Sequence, residues 1–426
     1  MNSNSLIKEL NSNNNPERID FVRNNLGISL KDHEIMPDFD RMVNFRYKRL
    51  QEQIIANDCV GVLLCNSMNI RYATGTRYAQ ISNMHSPTRY VFVPAEGSAI
   101  FFISKMYNFG KKPNFIKEYR EALVSAYFIA GESYIEISQK WAKEISEIVK
   151  SYGSNSKRLA LDYGEPEFIL NLHKEGLEIL NADKIVEKAG SIKCQEELFC
   201  ISFSVSIAES GLSRVRENLK AGISEQELWA YLAYENARKG GEWFEYNMLV
   251  SGGRTNPWGQ ESSDKLIRAG ELIGIDTGMI GPFGYSADLS RTFFCRPGLP
   301  SSEQKRLYKI AVENLNYNKE LIKIGMSFRE FSETSWKVPE EFWNRRYNSV
   351  AHGVGMGNEW PHIPFITDWT NNKTEDVFEE NMVLAIESCI GREDGAECVK
   401  LEDMIVIKNG KCQYLSTFPL EEDLMI

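Results

Sequence analysis

The chain has no C-x-x-C pair, and its eight cysteines stand singly along 426 residues. That scatter excludes both a disulfide framework and a thiolate zinc site, and it leaves the thiols as small core residues. Long apolar runs are missing as well. No stretch of about 18 uninterrupted apolar residues occurs, and the opening MNSNSLIKELNSNNNPERID lacks an apolar signal segment, so a cytoplasmic protein without a membrane partner is expected. Basic clusters are also absent. With 49 Lys and Arg against 59 Asp and Glu, the net charge is −10, which argues against nucleic acid as a partner. No repeat of fixed period is found.

What is present is an ordinary globular composition, 42% hydrophobic and 25% charged, in a chain too long for one core. An Asn- and Ser-rich N-terminal arm is expected over residues 1–35, its opening mobile. An α/β domain is expected over 36–188, and an α+β domain over 189–426. In the first domain, Met36 to Asn57 has helical apolar spacing and VGVLLCNS reads as a buried strand. RYVFVPAEGSAIFFIS gives two strands about a turn at Ala95-Glu96-Gly97, RLALDYG another strand, and EPEFILNLHKEGLEIL a helix. After SIKCQEE two long helices are expected, about Glu196 to Leu219 and Glu225 to Arg238, the second capped by Ser224. Strand-rich hairpins and one further helical region, about Ser302 to Lys323, follow.

Two acids interrupt apolar strands in GELIGIDTGMIGPFGYSADLSRTFF. A hairpin turning about Pro282 would set Asp276 directly opposite Asp288 on one face. Buried like charges need a partner, and the simplest is the nearby Arg291. The pattern recurs in VLAIESCIGREDGAECVKLEDMIVI. There Asp394-Gly395 is a strong two-residue turn signal, and closing the hairpin on it pairs Glu387 with Glu402. Two facing acid pairs favour a divalent cation over arginine. His352, among Gly353, Gly355 and Gly357 in SVAHGVGMGNEWPHIP, supplies the candidate nitrogen ligand. Carboxylates with one imidazole suit Mn, Fe, Co or Zn. The G-x-G spacing in GVGMG lacks the strand-turn-helix setting of a phosphate loop.

The order Asp276, Asp288, His352, Glu387, Glu402, with D-x-G, GY-x-x-D-x-S-R-T, HGVG and V-K-L-E-D, resembles the pita-bread superfamily of methionine aminopeptidases, prolidases, aminopeptidase P and creatinase. Within it, NIRYAT, GGEWFE, SGGRTNPWGQE, HGVGMGNEWP and STFPLEEDLM are most similar to the pita-bread dimethylsulfoniopropionate lyases. The resemblance implies an α+β pita-bread C-terminal domain preceded by an α/β creatinase-type N-terminal domain. It also implies two divalent metal ions (Fe, Mn, Zn or Co) on those five residues, a small carboxylate or zwitterion as substrate, and a homodimer. Two departures stand out. Gly278 occupies the place of an additional metal-binding Asp of the lyases. Asn358 occupies the place of their proposed base, and Asn358-Glu359 also replaces the second His of the peptidases.

Lyase chemistry on dimethylsulfoniopropionate, giving dimethyl sulfide and acrylate, is therefore the leading expectation. The candidate bases are Tyr347 as phenolate, which matches a lyase tyrosine, Glu359, His362 or a metal-bound hydroxide. Trp243, Trp258 and Trp360, with Asn358, are the candidate substrate contacts; Tyr127 and Phe128 are further aromatics for a cationic substrate end. Prolidase- or creatinase-like C–N hydrolysis is the alternative, with His362 polarising or positioning the substrate. A non-catalytic binder is a third class, disfavoured because all five ligand positions are intact.

Overall fold

The computed structural model describes residues 37–78, 80–104, 113–153, 156–370 and 376–426. The expected N-terminal arm lies outside them. The chain divides into two compact units that meet between Ala189 and Gly190.

In the first unit, Asp38 accepts a hydrogen bond from the Arg41 backbone N–H (3.0 Å) and starts the Phe39–Ala56 helix. Met42, Val43, Tyr47, Leu50 and Ile54 form its buried face. Six strands follow: β1 (Gly61–Leu64), β2 (Arg89–Pro94), β3 (Ala99–Ile103), β4 (Ile116–Arg120), β5 (Arg158–Leu161) and β6 (Glu178–Asn181). They form one mixed sheet in the order β4-β3-β2-β1-β5-β6, with β1, β5 and β6 parallel. The β2–β3 hairpin turns where Ala95-Glu96-Gly97 predicts. The helix expected over 165–180 is corrected: it ends at Lys174, and 178–181 is the edge strand β6. Gly176 at φ +86° turns the chain in a conformation that ends a helix, and β6 then pairs with the open side of β5.

In the second unit the helices are Gln195–Asn218 and Glu225–Arg238. Ser224 caps the second: its Oγ accepts from Glu227 N (3.1 Å) while its own N–H donates to Glu227 Oε2 (3.1 Å). The two pack closely because Gly211 has no side chain; a Cβ there would lie 2.4 Å from Leu232 Cδ1. By length and composition alone Gln195–Asn218 is apolar enough to cross a membrane, but 56% of its most apolar window is buried within the protein, as in a core helix.

The remaining strands are β7 (Trp243–Phe244), β8 (Leu249–Ser251), β9 (Leu272–Asp276), β10 (Met279–Ile280), β11 (Ser286–Ala287), β12 (Ser290–Phe294), β13 (Ala351–Val354), β14 (Asn358–Ile363), β15 (Val383–Gly391), β16 (Cys398–Lys408) and β17 (Lys411–Tyr414). A small sheet orders β11-β10-β7. An antiparallel sheet of eight orders β14-β13-β15-β16-β12-β9-β8, with β17 also on β16. The Ser302–Leu321 helix lies on β15 and β16, where Leu307, Tyr308, Ala311 and Leu315 join Ile386, Ile390, Leu401 and Ile405 in a shared core. That core holds β15 and β16 rigidly side by side, and their other face carries the site.

Candidate metal centre

The β15–β16 hairpin has the register that the Asp394-Gly395 turn predicts, with Glu387 opposite Glu402. The first hairpin does not. Asp276 is opposite Ser290, and β10 and β11 continue the same register through Met279–Ala287, so Asp288 faces Gly278. The turn is centred on Phe283, at φ +66°, and not on Pro282, which shifts the pairing by two residues. A two-residue shift keeps every side chain on its face, so both acids still point the same way. Thr277 closes the gap between β9 and β10: its Oγ1 donates to Ala287 O (2.8 Å) and accepts from Leu289 N (3.0 Å).

Asp276, Asp288, His352, Glu387 and Glu402 converge, all nearly inaccessible to solvent. His352 Nε2 lies 3.4 Å from Glu387 Oε1, 3.5 Å from Glu402 Oε1 and 3.8 Å from Asp288 Oδ2. Its Nδ1 faces the Gly353 carbonyl at 3.1 Å. A carbonyl only accepts, so Nδ1 carries a proton and Nε2 is the nitrogen presented to the carboxylates.

Arg291, the simplest partner for the acids, is turned away from them. Its guanidinium donates to Asp403 Oδ1 (2.8 Å), the Glu402 carbonyl (2.8 Å) and the Phe418 carbonyl (2.7 Å). The cation that does reach the acids is Lys400, two residues before Glu402 on β16 and therefore on the same face. Fully buried, its Nζ lies 2.6 Å from Glu387 Oε2, 3.0 Å from Glu402 Oε2 and 3.4 Å from Asp276 Oδ2, and it donates to Ser290 Oγ (2.7 Å). Tyr246 is the second residue that sequence reasoning missed. Its hydroxyl lies 2.8 Å from Asp288 Oδ1 and 3.1 Å from Asp276 Oδ1.

Burial, then Glu402 and Asp276, push the Asp288 carboxyl well above its ordinary range; burial and Glu402 raise Glu387. Burial opposes the charge on Glu402 too, but Lys400 and His352 outweigh it and hold that carboxyl down at about 2. The cluster is thus overloaded with acid beyond what Lys400 offsets. Glu387 Oε1 and Glu402 Oε1 are buried without a hydrogen bond, and Glu387 Oε2 meets the Lys400 ammonium. A Asp288 oxygen, a Glu402 oxygen and a His352 nitrogen lie within 4.8 Å of one another. Orphaned oxygens beside an imidazole nitrogen are what a divalent cation satisfies, so the residues fit such an ion.

The other candidates divide. Tyr347 borders the centre, with its ring centroid 4.7 Å from Lys400 Nζ; the Glu387 charge, then burial, push its phenol far up and oppose a phenolate base. His362 stands directly opposite His352 across β13 and β14, and partial burial and the His352 charge lower its pKa. Glu359 is engaged by the buried ammonium of Lys193. Asn358 is exposed on β14. Trp258 lies over Gly274, whose Cβ position is 2.5 Å from the ring, and 5.9 Å from Lys400 Nζ. Trp243 donates from Nε1 to Glu245 Oε1 (3.4 Å). Trp360 packs edge-on against Phe328, centroids 5.1 Å apart, on the hydrophobic core. Tyr127 and Phe128 are exposed residues of the first unit.

With this geometry in hand, comparison with known proteins is informative. Residues 200–409 match the model of metallopeptidase family M24, and residues 46–189 match the creatinase/prolidase N-terminal domain. Over 396 residues, 92% of this chain and 89% of the relative, the sequence is 31% identical to dimethylsulfoniopropionate lyase DddP of Roseovarius nubinhibens. The chain belongs to metallopeptidase family M24. Another M24 relative, the Xaa-Pro dipeptidase of Pyrococcus horikoshii, is 26% identical over 388 residues, 88% of this chain and 98% of that one. Among solved structures, the prolidase of Pyrococcus horikoshii OT3 matches with a TM-score of 0.70 at 24% identity, covering 88% of this chain and 99% of that one. An Xaa-Pro dipeptidase of Bacillus anthracis matches with a TM-score of 0.72 at 21% identity, covering 89% and 99%. The M24 chain thus has the pita-bread fold in its second unit and the creatinase-type fold in its first.

Proposed function

We propose that this M24 protein is a metal-dependent lyase that removes a proton next to the carboxylate of a small zwitterion and expels a sulfonium group, as dimethylsulfoniopropionate lyases do. Two divalent ions are assigned to Asp276, Asp288, His352, Glu387 and Glu402. When bound, they supply Lewis acidity that stabilises charge developing on the substrate carboxylate. The observation that carries the reading is the position of His362. A cross-strand partner of His352 shares its face, and we assign the base to this solvent-exposed imidazole, near enough for the His352 charge to lower its pKa. His362 takes the proton from the carbon next to the carboxylate, the C–H electron pair becomes the C=C bond of acrylate, and the C–S bond breaks to release dimethyl sulfide. Tyr347, held as the neutral phenol, and Lys400 keep the carboxylate end electrostatically favourable. Glu359, paired with Lys193, is left a structural part.

The full-length similarity to the lyases, first unit included, supports this reading. A second reading, hydrolysis of a C–N bond in a dipeptide or related small amide, is favoured by Gly278, which adds no further carboxylate to the centre, and by the similarity to Xaa-Pro dipeptidases.

Headspace detection of dimethyl sulfide from metal-reconstituted protein tests the first reading. Wild type is expected to release the gas, and His362→Gln to lose about 10²- to 10⁴-fold in kcat, the usual contribution of a positioned base, while keeping its metal. No gas from metal-loaded, folded wild type, together with release of amino acids from Xaa-Pro dipeptides, would transfer the assignment to the hydrolase.

A further inference from the structure

Gly278 and Tyr246 are far apart in sequence and occupy one space. Gly278 sits at φ +40°, opposite Asp288 in the hairpin register, and a Cβ built on it would lie 2.5, 2.6 and 2.9 Å from three ring carbons of Tyr246. The ring is brought there by the small β7-β10-β11 sheet: Phe244 pairs with Met279, and the Glu245 N–H donates to the Gly278 carbonyl (2.9 Å). From that position the hydroxyl reaches one oxygen of Asp276 and one of Asp288, the atoms named Oδ1 in both.

Two consequences follow from elementary chemistry. A phenol hydroxyl has one proton and so donates to one carboxylate oxygen at a time, and its place between the two, at 2.8 and 3.1 Å, holds both on one side of the centre. The ring also fills the volume through which any side chain at 278 would enter the centre.

We infer that Tyr246 is a positioning residue that clasps Asp276 and Asp288 and, by packing over Gly278, keeps any side chain at 278 from joining the five candidate ligands. A carboxylate at 278 and a tyrosine at 246 are mutually exclusive solutions to one site. In this chain the centre therefore carries one negative charge fewer than it would with a carboxylate at 278. The inference rests on the five residues being a metal centre.

The test is a mutant cycle read by metal binding, not by turnover. Mn²⁺ affinity is measured by titration, the absorption spectrum is recorded after loading with Co²⁺, and folding is followed by circular dichroism. Tyr246→Phe keeps the ring and removes only the hydroxyl. It is expected to fold as wild type, bind Mn²⁺ about 10- to 100-fold more weakly, as loss of a ligand's outer hydrogen bond typically does, and shift the Co²⁺ spectrum. Gly278→Asp alone is expected to lose both thermal stability and Mn²⁺. In Tyr246→Ala/Gly278→Asp the space is open, and Asp tolerates positive φ better than most residues, so metal binding is expected to return above that of either single variant.

Mn²⁺ affinity unchanged in Tyr246→Phe would overturn the clasp. Full affinity in Gly278→Asp with Tyr246 in place, or additive losses in the double variant, would overturn the exclusion. Failure of the wild type itself to bind Mn²⁺ would overturn the metal centre, and this inference with it.

Discussion

Lys400→Met is expected to destabilise the metal-free protein strongly and the metal-loaded protein much less. The wild-type ammonium is fully buried, with Glu387, Glu402 and Asp276 oxygens 2.6 to 3.4 Å away. Removing one member of a buried charge cluster leaves the others uncompensated, at a cost of about 3 to 5 kcal/mol. Methionine keeps the length and fills the space beside Trp258 and Tyr347, so the change is chiefly one of charge. Divalent ions in the centre supply positive charge of their own and offset much of the loss. Thermal unfolding with chelator and with Mn²⁺ should therefore show a wider gap in Lys400→Met than in wild type. An equal gap in both would mean that Lys400 does not compensate the carboxylates.

The second large effect is expected from His352→Ala. Among the described residues it is the single imidazole within 4 Å of the clustered carboxylates, and its ring is fixed by the Gly353 carbonyl. Its loss removes the nitrogen donor and leaves a small void between β13 and the acids. Metal retained after gel filtration should fall by at least half, and activity should fall by about 10³-fold or more, since losing a Lewis acid removes several kcal/mol of transition-state stabilisation. His362→Gln provides the contrast, because it should lose turnover and keep metal. Equal metal content in wild type and His352→Ala would remove His352 from the ligand set.

The two hairpins show what sequence could specify. Asp394-Gly395 is a short turn with strong local preferences, so the pairing of Glu387 with Glu402, fifth of the nine ladder pairs, was legible from the turn alone. The other turn, Gly281 to Gly284, holds a phenylalanine at positive φ, a conformation that no local signal announces, and the register came out two residues away from the one expected. The face survived the error because strand alternation has a period of two. Lys400 carried a usable signal, its spacing from Glu402 in an extended run. Tyr246 carried none in its own segment; its imprint was the missing side chain at Gly278, thirty-odd residues along, which only packing connects to it. The strand at 178–181 was hidden for a related reason: its apolar spacing suits a helix, and only the open edge of β5 decides against it.

Asp403 adds a further consequence. Adjacent residues on β16 point to opposite faces, and while Glu402 turns to the metal centre, Asp403 is held from behind by Arg291 and Lys319, at 2.8 and 2.7 Å. A slip of β16 by one residue that carried Asp403 into the centre would put Glu402 in the place of Leu401, on the face packed against the apolar core. It would also turn Lys400 away from the acids and put Met404, whose sulfur now faces the Asp288 N–H, in the place of Asp403 opposite the two cations. A one-residue misalignment of this strand therefore misplaces charge on both faces at once. Ion pairs behind the strand and Lys400 contacts before it thus favour this register of β16 over its one-residue neighbours.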